Sequence, residues 1–170
     1  MNDFVTALEA QRTAFKASVG SIKKQKKSLN ASTSDVVAQL RSTVLGLAHE
    51  VADAVQARLT QATLALQSSD DVDQFSVVVD HLFDEARNMV TNNLNASYDK
   101  AKQLAENEDH ETQDAVIHLM NQATALFQAV LLRISDFLID VIRTLPAWRR
   151  EASDKIKAFF FNLSAFINRL

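Results

Sequence analysis

The sequence predicts an all-α protein, an elongated up-and-down bundle of four to five long amphipathic helices, and three observations predict it. Its 170 residues include only two glycines and one proline, where average usage gives roughly a dozen and eight or nine. Turns and strand corners need these residues, so the chain has few of either. Apolar residues recur every three or four positions along most of its length, the signature of one helix face. The interruptions are short polar clusters, and short connections between long helices force antiparallel neighbours.

In the first helix, over residues 3–19, Phe4, Leu8, Phe15 and Val19 fall at helical spacing, and Ile22 continues the stripe. Gly20 and the run Lys23, Lys24, Lys26 and Lys27 follow. Basic side chains suit the negative end of a helix dipole, and the same run is a candidate anionic-surface site. Asn30 to Ser34 is a polar break, with Ser34 as the expected N-cap. The second stripe is Val36, Leu40, Val44, Leu47, Val51, Val55, Leu59 and Leu66, weakened slightly by Gly46.

Ser68-Ser69-Asp70-Asp71 reads as a stop and a start, with a serine cap and acids in the next first turn. The third stripe is Val72, Phe75, Val79, Leu82, Ala86, Val90, Tyr98, Ala101 and Leu104, with an Asn-rich stretch from Thr91 to Ser97 expected to kink or fray. Asn107 to Glu111 is the next boundary. The fourth helix carries Val116, Met120, Ala123, Phe127, Leu131, Ile134, Leu138, Val141 and Leu145. Leu119, Leu126, Leu132, Phe137, Ile139 and Ile142 widen that face until the helix is apolar nearly all round, so it is expected to be the most buried. Thr144-Leu145-Pro146 ends or bends it, which decides between four helices and five. The last helix holds Trp148, Ile156, Phe159, Phe160, Leu163, Ile167 and Leu170, with Arg149, Arg150, Lys155 and Lys157 among them.

Length and composition read as one domain over residues 1–170. With no cysteine there are no disulfides and no thiolate metal sites. No segment has the order of a signal peptide, and no apolar run reaches the ~20 residues that span a bilayer. Three Asn-x-Ser sequons, at Asn30, Asn95 and Asn162, are candidate glycosylation sites and favour a secreted protein over a cytoplasmic one. The net charge is −3, with basic ends and an acidic middle. Global charge therefore argues against a nucleic-acid partner, while the basic ends suit peripheral contact with a membrane.

Nothing in the sequence commits the chain to a reaction. Di-metal bundles use Glu-x-x-His pairs on facing helices, and none of His49, His81, His110 and His118 has a glutamate three residues before it. His110, Asp114 and His118 share a face at four-residue steps, as do His81 and Glu85, but a solvated polar stripe accounts for both. There is no glycine-rich phosphate loop and no nucleophile elbow. The expectation is a protein that is not an enzyme, with no cofactor and no metal.

Amphipathicity is the informative feature. Phe159, Phe160 and Phe161 cannot all face one core, since neighbours on a helix diverge by about 100°. Trp148 beside Arg149, Arg150, Lys155 and Lys157 is the pattern of a helix lying at a membrane interface. An apolar ligand site lined by Phe83, Met120, Phe127 and Phe137 is a further expectation. So is a homodimer seam over residues 126–170.

From Phe4 to Leu170 the pattern resembles the exchangeable apolipoproteins, apolipophorin III in particular: cysteine-free bundles of about five amphipathic helices, poor in glycine and proline. The resemblance implies helices that separate and lay their apolar faces on lipid. It is one of pattern, with no signature residues to carry over. Residues 129–142 and 159–161 are more apolar than those lipid-reversible helices usually are, which points to a more permanent core or a dimer seam. Phasins, which coat bacterial polyester granules, resemble the chain in composition, and the sequons would have no use there.

Overall fold

The computed structural model describes residues 2–14 and 31–170. The described residues form an all-α bundle of five helices: α1 (Asn2–Ala14), α2 (Ala31–Ser69), α3 (Val72–Ala105), α4 (His110–Arg143) and α5 (Leu145–Ile167). Among the described residues no helix is long and apolar enough to cross a membrane.

The boundaries show how local chemistry ends and starts helices. α2 is under way at Ala31, so Ser34 lies inside it rather than at its cap. At the α2–α3 junction Asp70 takes a positive φ of 61°, and its N–H donates to the Leu66 carbonyl at 2.8 Å. This is a left-handed helix stop that aspartate tolerates better than most residues. The next cap is Asp71 rather than a serine, its carboxylate accepting the Gln74 N–H at 3.0 Å. Asp109 caps α4 in the same way through the Thr112 N–H at 2.8 Å. The far end of α3 is closed by the buried Gln113 amide, which donates to the Ala105 and Glu106 carbonyls at 3.0 and 3.2 Å. α4 stops at Arg143 and α5 starts at Leu145, so Pro146 marks a break between two helices and the described residues form five. The Asn-rich stretch of α3 stays helical throughout.

Serine and threonine inside these helices turn their hydroxyls back to the carbonyl four residues earlier, as Thr63 does to Leu59, Ser97 to Asn93 and Thr124 to Met120. That satisfies the hydroxyl where it is buried.

The helices are divided between two compact units. The first comprises Met1–Leu47, Thr91–Gln128 and Leu170. Its core includes Phe4, Leu8, Leu40, Val44, Leu94, Tyr98, Val116, Met120 and Phe127. The second comprises Ala48–Val90 and Ala129–Arg169. Its core includes Val55, Leu59, Leu66, Val79, Leu82, Ile134, Leu138, Ile156 and Phe160. Each draws on four helical segments, enough to enclose a core from all sides. In α2 the expected Leu40, Val44, Val51, Val55, Leu59 and Leu66 are buried, while Val37 and Ala48 are buried in place of Val36 and Leu47.

Candidate functional site

The second unit carries every large apolar side chain that is exposed among the described residues: Leu64, Val72, Val77, Leu132, Ile139, Ile142 and Phe161. Their positions follow from helix phase. On α4 the buried line is Val130, Ile134, Leu138 and Val141. Leu132 and Ile139, seven residues apart, fall on the opposite side and are 62% and 49% exposed. Although α4 has more buried residues than any other helix among those described, its second half is therefore not covered all round. Leu119 and Leu126 are buried as expected, while Leu132, Ile139 and Ile142 face water.

The three consecutive phenylalanines of α5 separate as helix geometry requires. Phe160 is buried, Phe159 is half-buried, and Phe161 is 76% exposed. Phe159 stacks on Phe137 of α4 with ring centroids 4.0 Å apart and planes within 3°. Phe160 meets Phe159 edge-on at 4.9 Å and Phe137 at 6.2 Å. Further along, the Arg133 guanidinium lies over the Phe166 ring at 4.0 Å. As the α5 number rises the α4 partner number falls, so these two helices run antiparallel. The cluster uses up Phe137, Phe159 and Phe160 in packing and leaves Phe161 outside it.

The four residues expected to line one apolar pocket are shared between the units. Met120 and Phe127 are wholly buried in the first, and Phe83 and Phe137 are half-buried in the second. Among the described residues the second unit has at least two clefts. One of about 270 Å³ lies between α2 and α5, lined by Gln56, Thr60, Thr63, Leu64, Gln67, Ser153, Ile156 and Lys157. The other, about 560 Å³, lies between α2 and α3, where Arg58 pairs with Glu85 beside His81 over Ala62, Val78 and Leu82.

Of the expected anionic-surface residues, Lys157 is exposed and Lys155 half-buried on α5. Lys23, Lys24, Lys26 and Lys27 lie outside the described residues, as do the side chains of Trp148, Arg149 and Arg150. Among the sequons, Asn95 is exposed on α3 and Asn162 on α5, and Asn30 lies outside the described residues. Among the described residues no group of three or more histidine, aspartate or glutamate side chains is placed to hold a metal. Within α4, His110 and Asp114 are exposed and His118 is half-buried.

Sequence reading passed over Leu64 and Val77, which sit opposite the buried stripes of α2 and α3. It also passed over Gln11 and Arg12 of α1. Gln11 donates to the Ile117 carbonyl at 2.9 Å, and Arg12 pairs with Asp99 at 2.7 Å. Their partners are 106 and 87 positions away, so no local signal marks them. No known protein family, characterised protein or solved structure matches this chain.

Proposed function

We propose that the protein binds lipid or another apolar surface without catalysis, as a carrier or coat, through the amphipathic helices of its second unit. One observation carries the reading: among the described residues the large exposed apolar side chains gather in that unit, and they occur on all of its helices. Leu64 stands on α2, Val72 and Val77 on α3, Leu132, Ile139 and Ile142 on α4, and Phe161 on α5. The outward sides of helices around one core diverge, so a single rigid protein face could cover only some of them. A lipid surface is not so restricted. Amphipathic helices lie in the interface with their apolar sides sunk about 5–10 Å. Helices that separate there exchange one apolar environment for another, at little cost per unit area. The scarcity of glycine and proline lets each segment stay helical as it does so. Lys155 and Lys157 on α5, with Arg149 and Arg150 earlier in that helix, favour anionic headgroups, at about 1 kcal/mol per basic residue near the surface.

A second reading is self-association through α4, where Leu132, Ser135, Ile139 and Ile142 fall at alternating three- and four-residue steps as in a coiled-coil seam. Three part-exposed aliphatic side chains fall well short of the roughly 800 Å² per partner of a standard stable interface, which makes this the weaker reading.

Flotation with phosphatidylglycerol vesicles separates the two. The lipid reading expects the protein to rise with the vesicles, and Phe161→Ser and Leu132→Ser each to weaken binding by about tenfold, the low end for one buried apolar side chain. A protein that stays below the lipid, or variants that float as well as the parent, would count against it.

A further inference from the structure

Within the first unit, α1 is held by polar as well as apolar contacts. Its described part runs from Asn2 to Ala14. Among the described residues its buried large side chains are Phe4 and Leu8. Polar contacts join them. Gln11 donates to the Ile117 carbonyl of α4 at 2.9 Å. Arg12 reaches Asp99 of α3 at 2.7 Å, is steadied by Glu9 at 3.9 Å, and lays its guanidinium 5.4 Å from the centre of the Tyr98 ring.

The polar attachment is also incomplete. Three buried side-chain atoms lack a hydrogen-bond partner among the described residues: Gln11 Oε1, Arg12 Nε and Arg41 Nε. Two of them belong to α1. A buried polar group left unpaired costs the contact its hydration, and these two regain water when α1 leaves.

We propose that α1 is a releasable strap: a helix that lifts as a unit from α3 and α4, uncovering the Tyr98 ring, while the rest of its four-helix unit stays folded. The strap's role rests on the lipid-surface reading, in which the uncovered seam adds apolar surface for lipid; its release does not depend on that reading. Arg12 is the fastener, since it touches both Asp99 and Tyr98 from α1.

Amide hydrogen exchange on the full chain without lipid tests the release. Residues 2–14 are expected to exchange together, at least tenfold faster than residues 94–102 of α3 and 116–124 of α4. Arg12→Gln is expected to speed α1 further, including the amides from Phe4 to Leu8, and to leave those two stretches unchanged. Asp99→Asn, which breaks the same pair from an exposed position, is expected to do likewise. A spectroscopic readout separates release from local loss of charge. Burial pushes the Tyr98 phenol above its ordinary value and the nearby Arg12 charge opposes that rise. In Arg12→Gln, release exposes the ring and moves the tyrosinate transition down, whereas mere loss of the cation over a covered ring moves it up. Exchange of α1 in step with α3 and α4, fast exchange confined to the first few residues, or an upward tyrosinate shift would each overturn the strap. Failure of the parent protein to bind phosphatidylglycerol vesicles would instead remove the lipid reading, with the exchange result untouched.

Discussion

Phe137 and Phe159 lie face to face, their ring centroids 4.0 Å apart, and so bind α4 to α5 at the point where three phenylalanines follow one another. The stack fixes which of the three is structural. Phe160 is 4% exposed and Phe161 is 76% exposed, one residue further on. Phe160→Ala should therefore lower unfolding free energy by about 3–5 kcal/mol, the usual cost of emptying an aromatic core site. Phe161→Ala should stay within about 0.5 kcal/mol of the parent, as for most surface changes. Urea titration followed by circular dichroism checks the contrast, and equal losses would refute the division.

Gly46 gives a prediction of opposite sign. It lies inside α2, its φ is not positive, and a methyl group built on it meets nothing within 4 Å. Gly46→Ala should raise stability by roughly 0.5–1 kcal/mol, because alanine loses less chain entropy in a helix. A lower melting temperature would show that the space beside Gly46 is in use.

The chain's one tyrosine predicts an alkaline limit. The Tyr98 hydroxyl is hydrogen-bonded to Thr124 at 2.8 Å, and burial raises its ionisation above the ordinary 10.0. A group whose folded pKa is raised gives stability that is complete below the unfolded pKa and is lost as pH rises through the folded one. Unfolding free energy should therefore decline above pH 10 because of Tyr98. Tyr98→Phe should remove that part of the decline, at a cost of about 1 kcal/mol at neutral pH for the lost hydrogen bond. An unchanged alkaline slope in the variant would contradict this assignment.

Capping is testable at the α2–α3 junction. Asp71 accepts the Gln74 N–H at 3.0 Å, so Asp71→Ala should cost about 1 kcal/mol. Ser68 and Ser69 turn their hydroxyls back to the Leu64 and Ala65 carbonyls at the end of α2. Ser69→Ala should cost less, and the reverse order in thermal melts would restore the serine cap that the sequence suggested.

These contrasts show what was legible beforehand. The helices were, because Asp70-Asp71, Asn107 to Asp109 and Pro146 are chemical stops that act on their own neighbours. Phase was legible to within one residue: in α2 both Val36 and Val37 are apolar, and periodicity alone could not choose the buried one. The outward face of α4 was not legible. Where apolar residues occupy nearly the whole circumference, burial depends on where the other helices sit, so Leu132 and Ile139 looked like core. Nor were Gln11 and Arg12, whose partners at Ile117 and Asp99 belong to distant parts of the chain. Which large apolar residues are left in water depends on how the cores pack.

Trp148 reports most directly on the claim that the second unit meets lipid. It is the only tryptophan, two residues after Pro146 in α5, the helix that carries Phe161. Its emission should be recorded as phosphatidylglycerol vesicles are added at low and at high salt. The account predicts a blue shift as the amphipathic ring settles among headgroups. The shift should be weaker at high salt, which screens Arg149, Arg150, Lys155 and Lys157, and weaker in Phe161→Ser. Emission that vesicles leave unmoved at either salt concentration, with the protein remaining free of lipid, would contradict it.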